Sequence, residues 1–156
     1  MVPEHDGLPA VDQGRACLLI TRAPGAGKST VSGLVARALS RSALIDAHVV
    51  SRLVASGYVW PLGEPADEAA RQVRLLNANL CALAADFAEA GFTPVIDVVL
   101  PDGDQLDTFD GYDELRAAMR HGFGHVGWWF DTSDLSPQQT AQRIIAEASV
   151  RAAVER

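Results

Sequence analysis

The residues best suited to chemistry lie in the run Pro24-Gly25-Ala26-Gly27-Lys28-Ser29-Thr30. Gly25 and Gly27 let a backbone approach a ligand closely, and the amides of such a loop converge on an anion. Lys28 is placed to neutralise the β- and γ-phosphates of a nucleotide. The Ser29 hydroxyl can supply an oxygen to Mg²⁺. Thr30 packs or hydrogen-bonds at the start of the helix that follows. The pattern is G-x-x-x-x-G-K-[ST], with Arg22 in place of its first glycine. The bland alternative is a Gly-Lys-Ser tripeptide in an ordinary turn. An apolar strand before it and an amphipathic helix after it weigh against that alternative.

Three aspartates form a second group. Asp46, Asp97 and Asp131 each follow a short apolar run. In an open α/β sheet they fall outside the carboxyl ends of strands, where ligands bind. Asp97, after Val95-Ile96, is a candidate to hold Mg²⁺ directly or through water. Asp46 is a candidate to accept the proton of an attacking hydroxyl, as bases do in phosphoryl transfer. Any one of these alone reads more simply as a solvated loop acid or a helix cap. Two at the ends of separate strands beside a phosphate loop favour function for Asp46 and Asp97. Asp131-Thr132-Ser133 stays evenly balanced between a plain turn and a position near a nucleotide base.

Other residues carry less. His5, His48, His121 and His125 show no metal-ligand spacing, and His48 reads as surface. Tyr58, Trp60 and Leu62 either wall an apolar pocket or belong to the core. Trp128 and Trp129 point to opposite faces of a strand, so at most one can touch a ligand. Arg71 and Arg74 read as a solvated helix face. Cys17 and Cys81 are too few and too isolated for a zinc site or a disulfide framework. They read as small core hydrophobes in a reducing compartment.

These groups need a scaffold, and the pattern supplies one. Ala16-Cys17-Leu18-Leu19-Ile20-Thr21 suits a strand buried on both faces, as in a parallel sheet. Val31, Leu34, Val35, Ala38 and Leu39 repeat at helical spacing after the loop. Ser42-Ala43-Leu44-Ile45 predicts a second strand ending at Asp46, and residues 47 to about 58 a helix. Tyr58-Val59-Trp60-Pro61-Leu62-Gly63 is a break with exposed aromatics. Pro65 opens a long helix, with Asp67 and Glu68 suited to its first turn. Its buried face is Val73, Leu76, Leu80, Leu83, Ala84 and Phe87, and Gly91 ends it as a left-handed residue. Pro94-Val95-Ile96-Asp97-Val98-Val99-Leu100 is a third strand. A polar stretch, a helix over 112–121, an apolar strand over 127–130 and a closing helix over 138–154 complete the series. Strands alternate with helices throughout, which argues for a parallel sheet covered on both faces.

Composition narrows the function classes. A chain of 156 residues, 48% hydrophobic, suits one domain burying roughly 70% of its unfolded surface. Residues 1–14 read as a mobile arm and 15–156 as the domain. No apolar run approaches the ~18 residues of a membrane span, and the N-terminus lacks the basic and apolar blocks of a secretory signal. A cytoplasmic location is therefore expected. The net charge of −7 disfavours nucleic acid as a partner.

On these residues the chain resembles a small P-loop kinase of the chloramphenicol-phosphotransferase-like group, within the shikimate- and nucleotide-kinase-like fold. The likeness is carried by Ala23-Pro24-Gly25-Ala26-Gly27-Lys28-Ser29-Thr30, Leu44-Ile45-Asp46, Pro94-Val95-Ile96-Asp97-Val98-Val99 and Phe130-Asp131-Thr132-Ser133. It covers about residues 16–100 and 110–150. The first motif is specific to P-loop proteins in general, and none of the motifs fixes the substrate.

The resemblance implies a three-layer α/β P-loop NTPase fold with ATP and Mg²⁺ as cofactors. It implies phosphorylation of a small-molecule hydroxyl, on an antibiotic, sugar, nucleoside or other metabolite, by a monomer or homodimer. It carries Lys28 and Ser29 over as phosphate and Mg²⁺ ligands, and Asp46 as the acid that engages the acceptor. Lys28 and Asp46 are thus the expected catalytic pair.

The chain departs from the group at Arg22 and again after Asp97. Kinases of this group have a further strand there and then a lid whose arginines close over the transferring phosphate. Here Leu100 runs through a short polar stretch to Tyr112, with no apolar strand and no arginine-rich lid near 108–110. An arginine in that role is worth ~10³–10⁵ in rate. Lys28, Mg²⁺ and Arg116 or Arg120 would have to meet the charge instead, so weak catalysis is expected. The rival expectations are a P-loop ATPase or nucleotide sensor with no acceptor, and a binding module that kept the fold without the activity.

Overall fold

The computed structural model describes residues 16–21, 27–99 and 131–151. The expectations for residues 1–14, Arg22, Pro24, Gly25 and Ala26 lie outside the described residues. So do those for the lid region, Arg116 and Arg120, the 112–121 helix and the 127–130 strand.

The described chain is an α/β fold. Strand β1 (Leu18–Thr21) leads to helix α1 (Lys28–Ala38), strand β2 (Ser42–Asp46), short helix α2 (Ala47–Ser51), long helix α3 (Ala66–Glu89) and strand β3 (Thr93–Val98). Helix α4 (Pro137–Arg151) closes it. The strands form a three-stranded parallel sheet in the order β1-β3-β2. The chain therefore crosses from β1 past the position of β3 to reach β2, then returns to fill the centre. Two right-handed crossovers running in opposite directions put their helices on opposite faces. The two cores obey this. Val95 of β3 packs with Val31 and Val35 of α1, with Leu39 just past its end, and with Ala141, Ile144 and Ala148 of α4. Its neighbours in sequence, Ile96 and Val98, pack with Val50 of α2 and with Leu80 and Ala84 of α3. The alternation of side chains along a strand separates these two sets. All six residues of β3 are buried, as befits a central strand covered on both faces.

Several boundaries and burials differ from the sequence expectation. Leu18 and Ile20 face the α1 side, but Leu19 is 51% exposed. It points to the other face, where α3 packs over β3 and β2. Cys17 and Cys81 are both exposed, not core. Cys17 precedes β1 on the alternation opposite to Leu18. Cys81 follows the inward Leu80 and is turned about 100° away from it. Helix α2 ends at Ser51 instead of continuing to residue 58. Valines at 49, 50 and 54 favour helix weakly, and Gln72 of α3 takes the backbone beyond. Val59 N–H donates to Gln72 Oε1 at 3.0 Å, and Gln72 Nε2 donates to Gly57 O at 2.8 Å. Tyr58, Trp60 and Leu62 are exposed, so they are not core. On α3, Leu80 and Ala84 are buried, whereas Phe87 is 39% exposed.

The end of α3 follows its sequence signal. Gly91 has φ +79°. Its N–H donates to Ala88 O and the Phe92 N–H to Phe87 O, each at 2.9 Å. These are the two bonds of a Schellman cap. The accompanying apolar contact is an edge-to-face pair of Phe87 and Phe92 rings, 6.1 Å apart. Arg41, at the entry to β2, lies over the Phe92 ring and donates to Ala90 O at 3.2 Å.

Candidate functional site

The site grows from the junction of β1 and α1. Gly27 is the N-cap of α1 at φ 74°, a left-handed backbone that glycine adopts without strain. The cap makes no side-chain hydrogen bond, and the first turn of α1 carries no acidic residue. Among the described residues no side chain caps the amides at the helix start, which lie at the positive end of the helix dipole. Lys28 opens the helix. Its carbonyl accepts from the fully buried Ser32 hydroxyl at 3.0 Å, which fixes the first turn. Ser29 and Thr30 follow, both exposed.

Asp97 comes to this helix start from the centre of the sheet. It shares the face of Val95, the face that α1 covers, and is 2% exposed. Its Oδ1 forms an ion pair with Lys28 Nζ. Burial pushes the Lys28 ammonium below the ordinary lysine value, and the nearby Asp46 carboxylate pulls it the other way.

Asp46 is the register partner of Asp97 across the β2–β3 ladder. It ends β2 and caps α2, its Oδ1 accepting from His48 N–H at 2.8 Å and Val49 N–H at 3.4 Å. The structure thus brings Lys28, Asp46 and Asp97 to one end of the parallel sheet. Asp131 is exposed and accepts from Ser133 N–H and Oγ, a local turn. His48 is exposed, as expected. Arg71 is a solvated-face residue paired with Glu68 at 3.2 Å, and Arg74 is exposed.

Two grooves lie along α2. One, of about 330 Å³, is lined by Leu44, Val49, Leu83 and Phe87, with Asp46 as its carboxylate. The other, of about 240 Å³, is lined by Val54, Tyr58, Val59, Val73 and Leu76. Of the three residues read either as pocket wall or as core, Tyr58 lines this groove, and Trp60 and Leu62 do not. Gln72 lines the same groove and pins its loop. Sequence reasoning missed Gln72. Its one local signal is the i,i+4 spacing to Glu68, to which it donates at 2.9 Å.

No three His, Cys, Asp or Glu side chains converge among the described residues. That excludes none of the expected Mg²⁺ chemistry, since Mg²⁺ commonly takes one or two protein oxygens and fills the rest from phosphates and water. The buried Asp97 carboxylate and the exposed hydroxyl of Ser29, which follows Lys28 in the chain, are oxygen donors of the kind such a cation takes. No helix among the described residues is long and apolar enough to cross a membrane. No protein-family model and no curated protein matches the chain.

Proposed function

We propose that the chain is an ATP-dependent phosphotransferase. Residues 24–30 serve as its P-loop, and a small-molecule hydroxyl is the acceptor. The observation that carries this reading is the meeting of Lys28, at the start of α1, with Asp97 at the carboxyl end of the central strand. Asp46 stands beside them at the mouth of an apolar groove. In this scheme the α1 amides and Lys28 hold the polyphosphate. Ser29 and Asp97 would hold Mg²⁺, which when bound would shield the phosphate oxygens. Asp46 orients the acceptor hydroxyl and accepts its proton as the hydroxyl oxygen bonds to the γ-phosphorus, the bond from that phosphorus to the β,γ-bridging oxygen breaks, and ADP leaves. An acceptor with an apolar body and a free hydroxyl matches the groove. The cytoplasm, where ATP and reduced thiols coexist, is the proposed compartment.

The test is calorimetric titration with ATP and Mg²⁺ beside a Lys28→Ala control whose folding is verified. Saturable binding that the control abolishes supports the reading and justifies an acceptor screen. Absence of binding to the wild type ends it.

One observation favours a second reading, an ATPase without an acceptor. Asp46 Oδ1 is already engaged by the α2 amides, so Asp46 has a structural task. That reading predicts ATP hydrolysis indifferent to added alcohols.

A further inference from the structure

We propose that the Lys28–Asp97 ion pair is a latch that makes a divalent cation and a polyphosphate bind as a unit, so that bare polyphosphate is rejected. The proposal rests on the nucleotide-binding reading above and concerns the regulation of that same site.

The argument starts from what surrounds Asp97. The carboxylate is 2% exposed and the Lys28 side chain 13%. Its register partners are Ile20 on one side and Asp46 on the other, an apolar residue and a second acid. Neither can replace the ammonium. Neighbouring strands are about 4.8 Å apart, so removal of Lys28 leaves a buried carboxylate close to another one. A buried charge stripped of its partner is strongly unfavourable.

Polyphosphate at the α1 amides competes for the same ammonium. A bare anion that draws Lys28 away must leave Asp97 uncompensated. An anion arriving with a divalent cation replaces one positive partner of Asp97 by another, and Lys28 is released to the phosphates. The cation alone faces the mirror problem, since it must displace Lys28 with no anion to receive it. Coupling between the two ligands is then reciprocal.

The experiment uses the full chain and ATP, either in EDTA or with Mg²⁺, followed by calorimetry. The wild type is expected to bind ATP in EDTA at least about tenfold more weakly than with Mg²⁺. Asp97→Asn removes the latch without changing shape, and is expected to bind ATP in EDTA at least about tenfold more tightly than the wild type does. Asp46→Asn removes a nearby negative charge that is not paired with Lys28. An equal gain in that variant reduces the effect to general electrostatics and overturns the latch. No gain in Asp97→Asn overturns it too. Should Asp97→Asn fail to fold, Lys28→Met is measured by thermal unfolding with Mg²⁺ alone. The cation is expected to raise the midpoint of Lys28→Met and to leave the wild type unmoved; equal shifts overturn the latch. A wild type that binds ATP–Mg²⁺ while these variants fail keeps the nucleotide reading and loses only the latch. A wild type that binds no ATP–Mg²⁺ loses both.

Discussion

Asp46 and Asp97 stand opposite each other in the parallel ladder of β2 and β3, so their carboxylates leave the sheet on the same face. Two acids so placed repel, and the fold handles them differently. Asp97 is buried and held by the Lys28 ammonium. Asp46 is half-buried and held by the amides that open α2. The first is screened from solvent. The second borders a groove lined by Leu44, Val49, Leu83 and Phe87. The proposed roles, Asp97 as a cation ligand and Asp46 as the acceptor of a hydroxyl proton, assign one task to each of these two environments.

The double role of Asp46 can be separated by substitution. Asparagine caps a helix about as well as aspartate, whereas alanine costs about 1 kcal/mol. Asp46→Asn is therefore expected to unfold at the wild-type midpoint and to keep nucleotide binding. Phosphoryl transfer, measured as ADP release dependent on an acceptor alcohol, should fall by roughly 10²–10⁴ if the carboxylate accepts the proton. Asp46→Ala should show the stability loss in addition. Unchanged transfer in Asp46→Asn removes Asp46 from the chemistry and leaves it a cap.

The Lys28–Asp97 pair makes a prediction about stability alone. Removing one partner of a buried pair costs roughly 3–5 kcal/mol, because the other charge is left uncompensated. Lys28→Ala should approach that loss in urea unfolding. Lys28→Ala combined with Asp97→Asn should be more stable than Lys28→Ala alone, since the stranded charge is gone. A double variant whose loss is the sum of the two single losses would show that the groups are not coupled.

How far the sequence disclosed this arrangement depends on the range of each signal. The apolar run ending at Thr21, the helical spacing after Lys28 and the β-branched run around Asp97 are local patterns, and a strand, a helix and a strand form there. The end of α3 at Gly91 was equally local. What failed was set by distant parts of the chain. Nothing in residues 47 to 58 shows that Gln72, nearly two turns into α3, will take the backbone of Gly57 and Val59. The exposure of Leu19 and Cys17 depends on where α3 comes to rest over the sheet, which follows from the strand order β1-β3-β2. That Asp97 comes near Lys28 was implied only by the general rule that ligands gather outside the carboxyl ends of strands. The structure supplies its local reason, since Asp97 has the same alternation as Val95, which faces α1.

Gly91 offers a test of the cap that delivers the chain into β3. At φ +79°, a Cβ would find Arg41 Nη1 at 3.9 Å, an ordinary contact. Gly91→Ala therefore meets only the backbone penalty of the left-handed region, about 1–2 kcal/mol. Thermal or urea unfolding should show that loss with nucleotide binding unchanged. Gly27, at φ 74° with nothing within 4 Å of its Cβ position, should lose a similar amount on Gly27→Ala. It should also lose nucleotide affinity, because in the proposed site the left-handed backbone at Gly27 leads into the α1 amides that hold the phosphates. Equal effects of the two substitutions on affinity would detach Gly27 from the site.

Cys17 gives a prediction in pH. Although the residue is exposed, burial around its sulfur, and secondarily Cys81, push its thiol above the ordinary 9.0. The native chain then holds the thiol proton where the unfolded chain has released it. The stability tied to this proton is fully present below 9.0 and is lost as pH climbs through the folded value. The stability of the wild type relative to Cys17→Ala should accordingly decline as pH rises above 9.0. Because the thiolate is the nucleophile, native Cys17 should also be alkylated by iodoacetamide more slowly than the same residue in urea, at mildly alkaline pH. Site-resolved mass spectrometry reads the two rates. A native rate equal to or above the unfolded one would place the Cys17 thiol at or below its ordinary value, against the packing described.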